Sequence, residues 1–414
     1  MPPKRSFAFR PPKNNRAVTW VASHLISPLI MRPLTGIARI EVSEEDLNRL
    51  QELRGSRVIL TPNHSEENEP FILLHLSNLL GHDFNYLTAK EVFEGYPGFA
   101  WFFQGLGAYS IVRGVPDLSS FRMTRKLLVE GKRWLVIFPE GVAVGLGDTV
   151  MPFQPGVVQL ALSAQEELAK MEPPAPVLFV PLAIKYLYLK EMAGPVERAL
   201  CRLEKKVGLE SGGPDPIQVR LARIGEVVIS RSEQTHGLRL PEMGMNERMY
   251  HLREVLTGRV AAELGIPLSE DEPLIQRLRV LQNRIEEVLE RGQSEDDDGR
   301  TEKPGRGQLK ELQRTVLQVR NFVALDTAYI EERPTVERLF DVIGLLEVEV
   351  FGKRRFTGPR KAVVRVGEPV PLLDYQARFR RERDVVAAEI AARLEGSVRA
   401  MLGEMAASSP LLPW

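Results

Sequence analysis

The sequence predicts an α/β fold, with a central mixed sheet flanked by helices and an added helical region. Short apolar runs alternate with amphipathic stretches, which is the pattern of a sheet covered by helices on its faces. Residues 235–350 are predicted to be helical, because apolar residues recur there at intervals of three and four. A chain of 414 residues can bury one large core, or one core and a second unit.

Four segments are predicted along the chain. Residues 1–39 form a basic and apolar N-terminal segment, and residues 40–234 form the core. A helical insertion follows over 235–350, with an acidic, Gly-rich linker near 291–308 whose composition predicts disorder. Residues 351–414 supply a strand and a helix that complete the core.

Local signals define the individual elements. Ser43, which precedes three acidic residues, starts a helix that Gly55 stops, and Pro70 starts a second helix that Gly81 closes. Apolar runs predict strands at 57–62, 134–139, 177–184, 217–225 and 361–367. Further helices are predicted at 121–132, 157–170, 274–288, 309–319 and 384–402.

The N-terminal segment is basic. Seven Lys or Arg residues and no acidic residue precede Glu41, a pattern that fits an anionic membrane surface and a solvated tail equally well. The apolar stretch Val18–Met31 is 14 residues long. Spanning a bilayer takes about 20 residues, so this shorter stretch predicts an interfacial or core-packed helix. Neither a secretory signal nor a membrane-spanning segment is expected.

Composition excludes several classes of function. The 55 basic and 55 acidic residues cancel, and the aromatic residues are not interleaved with a basic stripe, so nucleic-acid binding is not expected. Cys201 is the single cysteine, which rules out an intrachain disulfide and a thiolate zinc site and fits a reducing compartment. The spacing of His64, Glu69 and His75 matches no usual zinc motif, and no metal is expected.

The stretch TPNHSEENEP places Glu69 shortly after His64. A histidine and a carboxylate held together by the backbone can deprotonate a hydroxyl, although many such pairs lie on the surface. Pro62 and Pro70 bracket the segment and predict a turn, in which the two side chains can face each other. Glu66 and Glu67 are alternative candidates for the carboxylate that pairs with His64. Glu69 is favoured by its position, and the other two are expected to be solvated.

Three further blocks follow in order, namely GAYSIVRG at 107–114, FPEG at 138–141 and VPLAIKY at 180–186. The ordered set resembles the glycerolipid acyltransferase family, which includes 1-acylglycerol-3-phosphate acyltransferase. In that family Asn-His is followed by Asp, a Gly-containing block ending in Arg, Phe-Pro-Glu-Gly and a Val-Pro strand. The resemblance covers about residues 40–230 and part of 360–370, and it implies the family's layered α/β core.

The resemblance implies a role for each matching residue. His64 would be the general base, oriented by Glu69 as the acid of a Ser-His-Asp triad orients its histidine. The residues expected to bind substrate are Asn63, Lys90, Arg113, Glu140 and Gly141. The family arginine contacts the acceptor's phosphate, and a guanidinium fork suits a pair of phosphate oxygens. The family glutamate helps to seat the acceptor, and glycine permits close backbone approach.

The chain departs from the family at several positions. Glu69 replaces the usual aspartate, Val142-Ala143 replaces Thr-Arg, and Gln154 stands where a lysine is common. Two expected phosphate contacts are therefore missing, which leaves glycerol phosphate, another lysolipid or a lipid-like alcohol as the acceptor. A strand that ends in Gly-Glu-Pro closes the family core, and both Gly367-Glu368-Pro369 and Gly225-Glu226 are candidates.

The resemblance implies transfer of a fatty acyl group from an acyl thioester to a lysophospholipid or glycerol-phosphate-type hydroxyl. Acyl-CoA or acyl carrier protein would be the co-substrate, with no cofactor besides. The expected location is cytoplasmic and peripheral to the inner face of the membrane. The alternative is a catalytically decayed acyltransferase fold that binds lipid or acts as a scaffold, and a hydrolase that uses the same pair on water is a third.

Overall fold

The computed structural model describes residues 8–26, 35–95, 97–113, 117–238, 243–291, 305–324, 327–355 and 357–412. The chain forms two compact units. One comprises residues 9–191 and 356–410 and carries the sheet, and the other is a helical unit that comprises residues 192–355 and, among the described residues, also 8, 411 and 412. The helical unit therefore begins before residue 234, where the sequence places the end of the core.

The first unit is built on one sheet of eight strands. In chain order these are β1 Ile37–Val42, β2 Arg57–Pro62, β3 Phe84–Ala89, β4 Ala108–Ile111, β5 Trp134–Val136, β6 Val177–Tyr188, β7 Arg360–Val366 and β8 Val370–Pro371. Across the sheet the order is β1-β7-β6-β2-β5-β3-β4, and β8 pairs with β6. The prediction of a mixed sheet flanked by helices is confirmed.

Strand direction decides where the loops of this sheet meet. β6, β2, β5, β3 and β4 run parallel to one another, while β7 and β8 run antiparallel to β6. The loops that leave β2, β3, β4 and β5 therefore emerge at one edge of the sheet, where α/β proteins commonly bind ligands. β7 comes from the C-terminal part of the chain and lies between β1 and β6.

The helices before the second unit begin and end at the residues that local chemistry favours. They are α1 Arg16–Val21, α2 Glu44–Glu52, α3 Glu69–Leu80, α4 Lys90–Gly95, α5 Ala100–Gly105, α6 Leu118–Glu130 and α7 Pro155–Leu168. The Ser43 hydroxyl accepts the Asp46 N–H at the start of α2, and Gly81 ends α3 in the left-handed conformation at φ 60°. The predicted start at Ser43 and the predicted end at Gly81 are confirmed, whereas α2 ends at Glu52, three residues before the predicted stop at Gly55.

The second unit is helical throughout its described residues. Its helices are α8 Ala193–Val207, α9 Ile217–Thr235, α10 Met245–Leu264, α11 Leu274–Arg291, α12 Arg306–Ala324, α13 Thr327–Glu331 and α14 Val336–Phe351. The predicted helices at 274–288 and 309–319 are confirmed as parts of α11 and α12. Most of the predicted linker, residues 292–304, lies outside the described residues.

Two predictions for this part of the chain need correction. The sequence predicts a strand at residues 217–225 from their apolar residues, but the segment opens α9. The buried residues Leu221, Ile224 and Val228 follow helical spacing instead. Gly225 consequently lies inside a helix, and the strand that ends in Gly-Glu is β7.

The chain returns to the sheet with β7 and then closes with α15 Gln376–Phe379 and α16 Arg383–Ala407. The helix predicted at 384–402 is confirmed within α16. Apolar layers cover both faces of the sheet. One contains Ile59 and Phe179 with residues of α7 and α16, and the other contains Leu60 and Val180 with residues of α2 and α3. This double burial explains why the strands read as continuous apolar runs.

The predicted apolar stretch at Val18–Met31 is only partly described. α1 continues into a π-helical turn over Ala22–Ile26, and residues 27–34 lie outside the described part of the chain. Among the helices that the structure describes, none is both long enough and apolar enough to cross a bilayer.

Candidate active site

The predicted site residues come from loops at one edge of the sheet. The β2 loop carries Asn63 and His64, the segment after β4 carries Arg113, and the segment after β5 carries Glu140 and Gly141. Lys90 opens α4 directly after β3 and is 3% exposed. The parallel strands thus bring blocks that are distant in sequence to one edge.

Asn63 holds the first loop to the sheet. Its buried side chain accepts a hydrogen bond from the Ile184 N–H at 2.7 Å and donates one to the Ile184 carbonyl at 3.0 Å. A side-chain amide offers the same donor and acceptor as a peptide group, so Asn63 extends the β2–β6 ladder beyond Pro62. The structure places this amide against β6.

His64 and Glu69 face each other as the turn prediction requires. His64 Nδ1 lies 3.1 Å from Glu69 Oε2, in a segment that leaves the strand and enters α3 at Glu69. Glu69 is fully buried, whereas the His64 side chain is 20% exposed. With Nδ1–H donating to the carboxylate, the Nε2 lone pair of the neutral imidazole can accept a proton.

The Glu69 carboxylate has partners on both oxygens. Besides His64, it accepts the Ser65 hydroxyl at 3.1 Å, the Glu66 N–H at 2.8 Å and the Tyr186 hydroxyl at 3.1 Å, all three on Oε1. A buried carboxylate without such donors would cost several kcal/mol. Sequence reasoning missed Ser65 and Tyr186, although Tyr186 ends the fourth block.

The expectation for the competing carboxylates is half wrong. Glu67 is exposed, as expected. Glu66 is not solvated: its carboxylate forms a bidentate pair with Arg360 of β7, with N–O distances of 2.5 and 2.9 Å. Arg360 lies too far along the chain for a local pattern to reveal the pair.

The pKa of His64 reflects burial and carboxylates acting in opposite directions. Burial lowers it, but the hydrogen bond and charge of Glu69, with the charges of Glu140 and Glu67, outweigh burial and raise the pKa above its ordinary value. The Phe138 ring packs against the imidazole at a tilt of 31°, with 4.4 Å between the ring centroids. The His64 side chain is therefore partly sheltered, with 20% of its surface exposed.

Glu140 of the FPEG block binds backbone on both sides. Oε1 accepts the His64 N–H at 2.6 Å, and Oε2 accepts the Met151 N–H at 2.8 Å. Burial raises the pKa of Glu140 to about 7, although these two hydrogen bonds oppose the shift. Glu140 thus joins the histidine loop to the segment that follows FPEG.

Gly141 connects the third block to the second. Its φ of 68° lies in the left-handed region, where glycine is favoured, and its carbonyl accepts a hydrogen bond from Arg113 Nη1 at 2.7 Å. Arg113 Nη2 also lies 3.3 Å from Glu91 Oε2. Among the described residues, no acceptor reaches the buried Arg113 Nε. Arg113 is therefore oriented by the site and keeps donor capacity.

The segment after Gly141 is anchored over the histidine loop. The Gly145 N–H donates to the Ser65 carbonyl at 2.8 Å, and Asp148 forms a buried ion pair with Lys185 of β6. Lys185 and Asp148 were not singled out from the sequence. The described residues contain no group of three or more His, Cys, Asp or Glu side chains that could hold a metal ion.

Comparison with known families agrees with this geometry. A family model described as Acyltransferase matches residues 39–185, from β1 into β6. The matched segment contains His64, Glu69, Arg113 and the FPEG block, which confirms the resemblance. No curated protein and no solved structure shows a significant match to the chain. Residues 39–185 are therefore similar to the acyltransferase domain that this family model describes.

Proposed function

We propose that this protein is an O-acyltransferase that uses His64 as general base and Glu69 as its orienter. It transfers a fatty acyl group from an acyl thioester, acyl-CoA or acyl carrier protein, to a lysophospholipid or glycerol-phosphate-type hydroxyl. The observation that carries the proposal is the 3.1 Å contact between His64 Nδ1 and the buried Glu69 Oε2, within a segment matched to an acyltransferase family.

The proposed reaction needs no nucleophile from the protein. His64 Nε2 takes the proton of the acceptor hydroxyl as its oxygen attacks the thioester carbonyl, and Glu69 stabilises the imidazolium that forms. The tetrahedral intermediate then collapses and expels the thiolate, which receives the proton from His64. An ester and a free thiol are the products.

Arg113 favours an acceptor that carries a phosphate. Its side chain is 31% exposed, and its orientation is set by Gly141 and Glu91. A guanidinium can bind two phosphate oxygens at once. Val142 and Ala143 supply no second cation, so we propose a single-arginine phosphate site in a 1-acylglycerol-3-phosphate acyltransferase-like enzyme.

We also propose that the enzyme works at the cytoplasmic, anionic face of a membrane. Trp20, Phe99 and Trp101 are 55–60% exposed, and α1 packs against α5 through Val18 and Gly105. Large exposed aromatic residues are typical of membrane interfaces. The basic residues before and within α1 are exposed as well and suit anionic lipid headgroups; they are Arg10, Lys13 and Arg16.

The test is acyl transfer from a labelled acyl thioester to a panel of glycerol phosphate, lysophosphatidic acid, other lysolipids and a long-chain alcohol. Wild type, His64→Ala and His75→Ala are compared. His75→Ala is the control, because His75 lies on α3 and is not part of the His64–Glu69 pair. We expect a phosphate-bearing product from wild type and His75→Ala and none from His64→Ala. Equal transfer by a well-folded His64→Ala would overturn the proposed base.

One observation favours the non-catalytic alternative, namely the loss of the family's Thr-Arg at Val142-Ala143. If neither wild type nor any variant forms product, we measure whether the vesicle-bound protein binds the same acceptors. If wild type binds lipid but transfers no acyl group from either thioester donor, the protein is a lipid-binding protein that keeps the acyltransferase fold and is not an enzyme.

A further inference from the structure

A cluster from β6 and β7 supports the carboxylate of the proposed pair. The buried Tyr186 hydroxyl donates to Glu69 Oε1 at 3.1 Å. The Arg360 guanidinium lies over the Tyr186 ring, 4.7 Å from its centroid, and Arg360 binds Glu66 through two N–O contacts. Tyr186 and Arg360 both lie outside the matched segment 39–185.

The cluster reaches Glu69 by two routes that end on the same oxygen. Through ring packing, Arg360 fixes the position of the Tyr186 hydroxyl. Through the ion pair, it fixes Glu66, whose backbone N–H donates to Glu69 Oε1 at 2.8 Å. With Oε1 occupied in this way, Oε2 is left facing His64 Nδ1.

The ion pair itself is well shielded from solvent. The side chains of Arg360 and Glu66 are 9% and 11% exposed, and a third Arg360 hydrogen bond reaches the Thr35 carbonyl at 3.1 Å. A bidentate pair in such surroundings has little freedom to rearrange. It therefore serves as a rigid support for a glutamate side chain, which has one more rotatable bond than the family's aspartate.

On the basis of the function proposed above, we propose that Tyr186 and Arg360 are positioning residues that fix the Glu69 carboxylate against His64. The active site then extends beyond the family-matched segment to β7. The role is positional because neither residue contacts His64 in the described structure; they act through Glu69 and Glu66.

The charges around this cluster predict how its loss changes the pH dependence. His64 faces the carboxylates of Glu69, Glu140 and Glu67. Tyr186 faces Glu69, Glu66 and Arg360, and Arg360 also faces Tyr188. Removing the Arg360 charge leaves the Glu66 carboxylate uncompensated next to Glu69. The added negative charge favours the imidazolium, so protonation of His64 persists to higher pH.

The experiment compares Tyr186→Phe, Arg360→Gln and Arg360→Lys in the full chain. Arg365→Gln is the matched control, because Arg365 lies on the same strand but pairs with Asp46. Acyl transfer is measured as kcat and KM across pH. In parallel, the His64 imidazole is titrated by NMR, with His64→Ala identifying its signal among the six histidines.

We expect Tyr186→Phe to lower kcat about tenfold with little change in KM, because one hydrogen bond to a charged group is lost. We expect Arg360→Gln to lower kcat by at least as much and to move the His64 titration to higher pH. Arg360→Lys keeps the charge and should largely restore the titration, and Arg365→Gln should resemble wild type.

Wild-type kcat and an unmoved His64 titration in folded Tyr186→Phe and Arg360→Gln would overturn the positioning role, while leaving the proposed function intact. If Arg360→Gln fails to fold, Tyr186→Phe still decides the outcome, because it removes the hydroxyl that donates to Glu69 without changing a charge. A wild-type protein without transferase activity would refute the proposed function instead, and the NMR titration would still report whether the cluster sets the His64–Glu69 contact.

Discussion

Glu69 of the sheet unit and two glutamates of the helical unit are all buried, but they have different partners. In the helical unit, Glu204 meets the Arg220 guanidinium at 2.6 and 2.9 Å, and Glu233 meets Arg248 at 2.8 and 2.7 Å. In the sheet unit, Glu69 accepts hydrogen bonds from a histidine, two hydroxyls and a backbone N–H. All three carboxylates are buried and hydrogen-bonded, but among them only Glu69 faces an imidazole.

The partners determine what each carboxylate can do. Hydrogen bonds from Arg220 hold the pKa of Glu204 below its ordinary value against the opposing effect of burial, so its charge is constant at working pH. Glu140 binds two backbone N–H groups and has a pKa raised by burial to about 7. An arginine pair therefore makes a fixed support, whereas backbone and histidine partners leave a carboxylate able to affect proton transfer.

The largest expected effect is on catalysis, at Glu69. We expect Glu69→Ala to lower kcat about 10³- to 10⁴-fold, because the imidazole loses its orienter and its stabilising charge. Glu69→Asp should keep activity, since the family uses aspartate there. Both variants are assayed by acyl transfer with circular dichroism as a folding control. Equal rates for Glu69→Ala and wild type would assign the orienter elsewhere or to no residue.

The matching change in the helical unit should act on stability instead. We expect Glu204→Gln to lower the free energy of unfolding by about 3 kcal/mol, because the buried Arg220 loses its main carboxylate partner. Urea denaturation measures the loss. Acyl transfer, assayed well below the unfolding transition, should stay within about twofold of wild type. A loss of kcat comparable to that of Glu69→Ala would contradict the purely stabilising role expected of Glu204.

A smaller effect is expected when Arg113 of the proposed phosphate site is changed to lysine. We expect Arg113→Lys to raise KM for a phosphate-bearing acceptor about tenfold, because a lysine cannot bind two phosphate oxygens in a fork. Arg125→Lys is the control, since Arg125 forms an exposed pair with Glu167 in the same unit. An unchanged KM in Arg113→Lys would exclude Arg113 as the phosphate ligand.

The smallest expected effect is in the pH profile. A general base must be neutral, so kcat/KM should rise with pH through the pKa of His64, which Glu69 and its neighbours place above the ordinary 6.5. Because Glu140 also titrates near this range, the profile is repeated with Glu140→Gln. If the fall of kcat/KM at acidic pH persists in Glu140→Gln and moves to lower pH in Glu69→Gln, the titrating group is His64. If the fall disappears in Glu140→Gln, the titrating group is Glu140.

The same protonation has a consequence for stability. Since the folded-state pKa of His64 is raised, its contribution to stability is full below the unfolded-state pKa and is lost as pH rises through the folded-state value. The protein should therefore be slightly more resistant to urea on the acidic side of this window, as far as His64 alone is concerned, and His64→Ala should remove that difference.

Local chemistry made the sheet unit and its histidine loop predictable. Ser43, Pro70 and Gly81 mark helix ends through interactions within a few residues, and the bracketing prolines predict the turn that brings His64 to Glu69. The apolar run at 57–62 likewise predicts β2. These features depend on backbone preferences and on side chains close in sequence, which a single sequence carries in full.

Where the pattern was ambiguous, packing decided. The segment Ile217–Gly225 alternates like a strand over its first residues, yet it opens a helix whose buried side is set by Leu221, Ile224 and Val228. The fate of Glu66 was equally hidden, because its partner Arg360 lies 294 residues further along the chain. No local pattern distinguishes a solvated glutamate from one that meets an arginine across the sheet.

By itself, the sequence determined the resemblance to the acyltransferase domain and the loop that brings His64 to Glu69, because both depend on short motifs and on residues near one another in the chain. Only the tertiary structure decided that β7 enters between β1 and β6, and hence that Arg360 and Tyr186 stand behind Glu69. The reason is physical: strand order is set by packing of the whole core, and that packing places distant residues in contact.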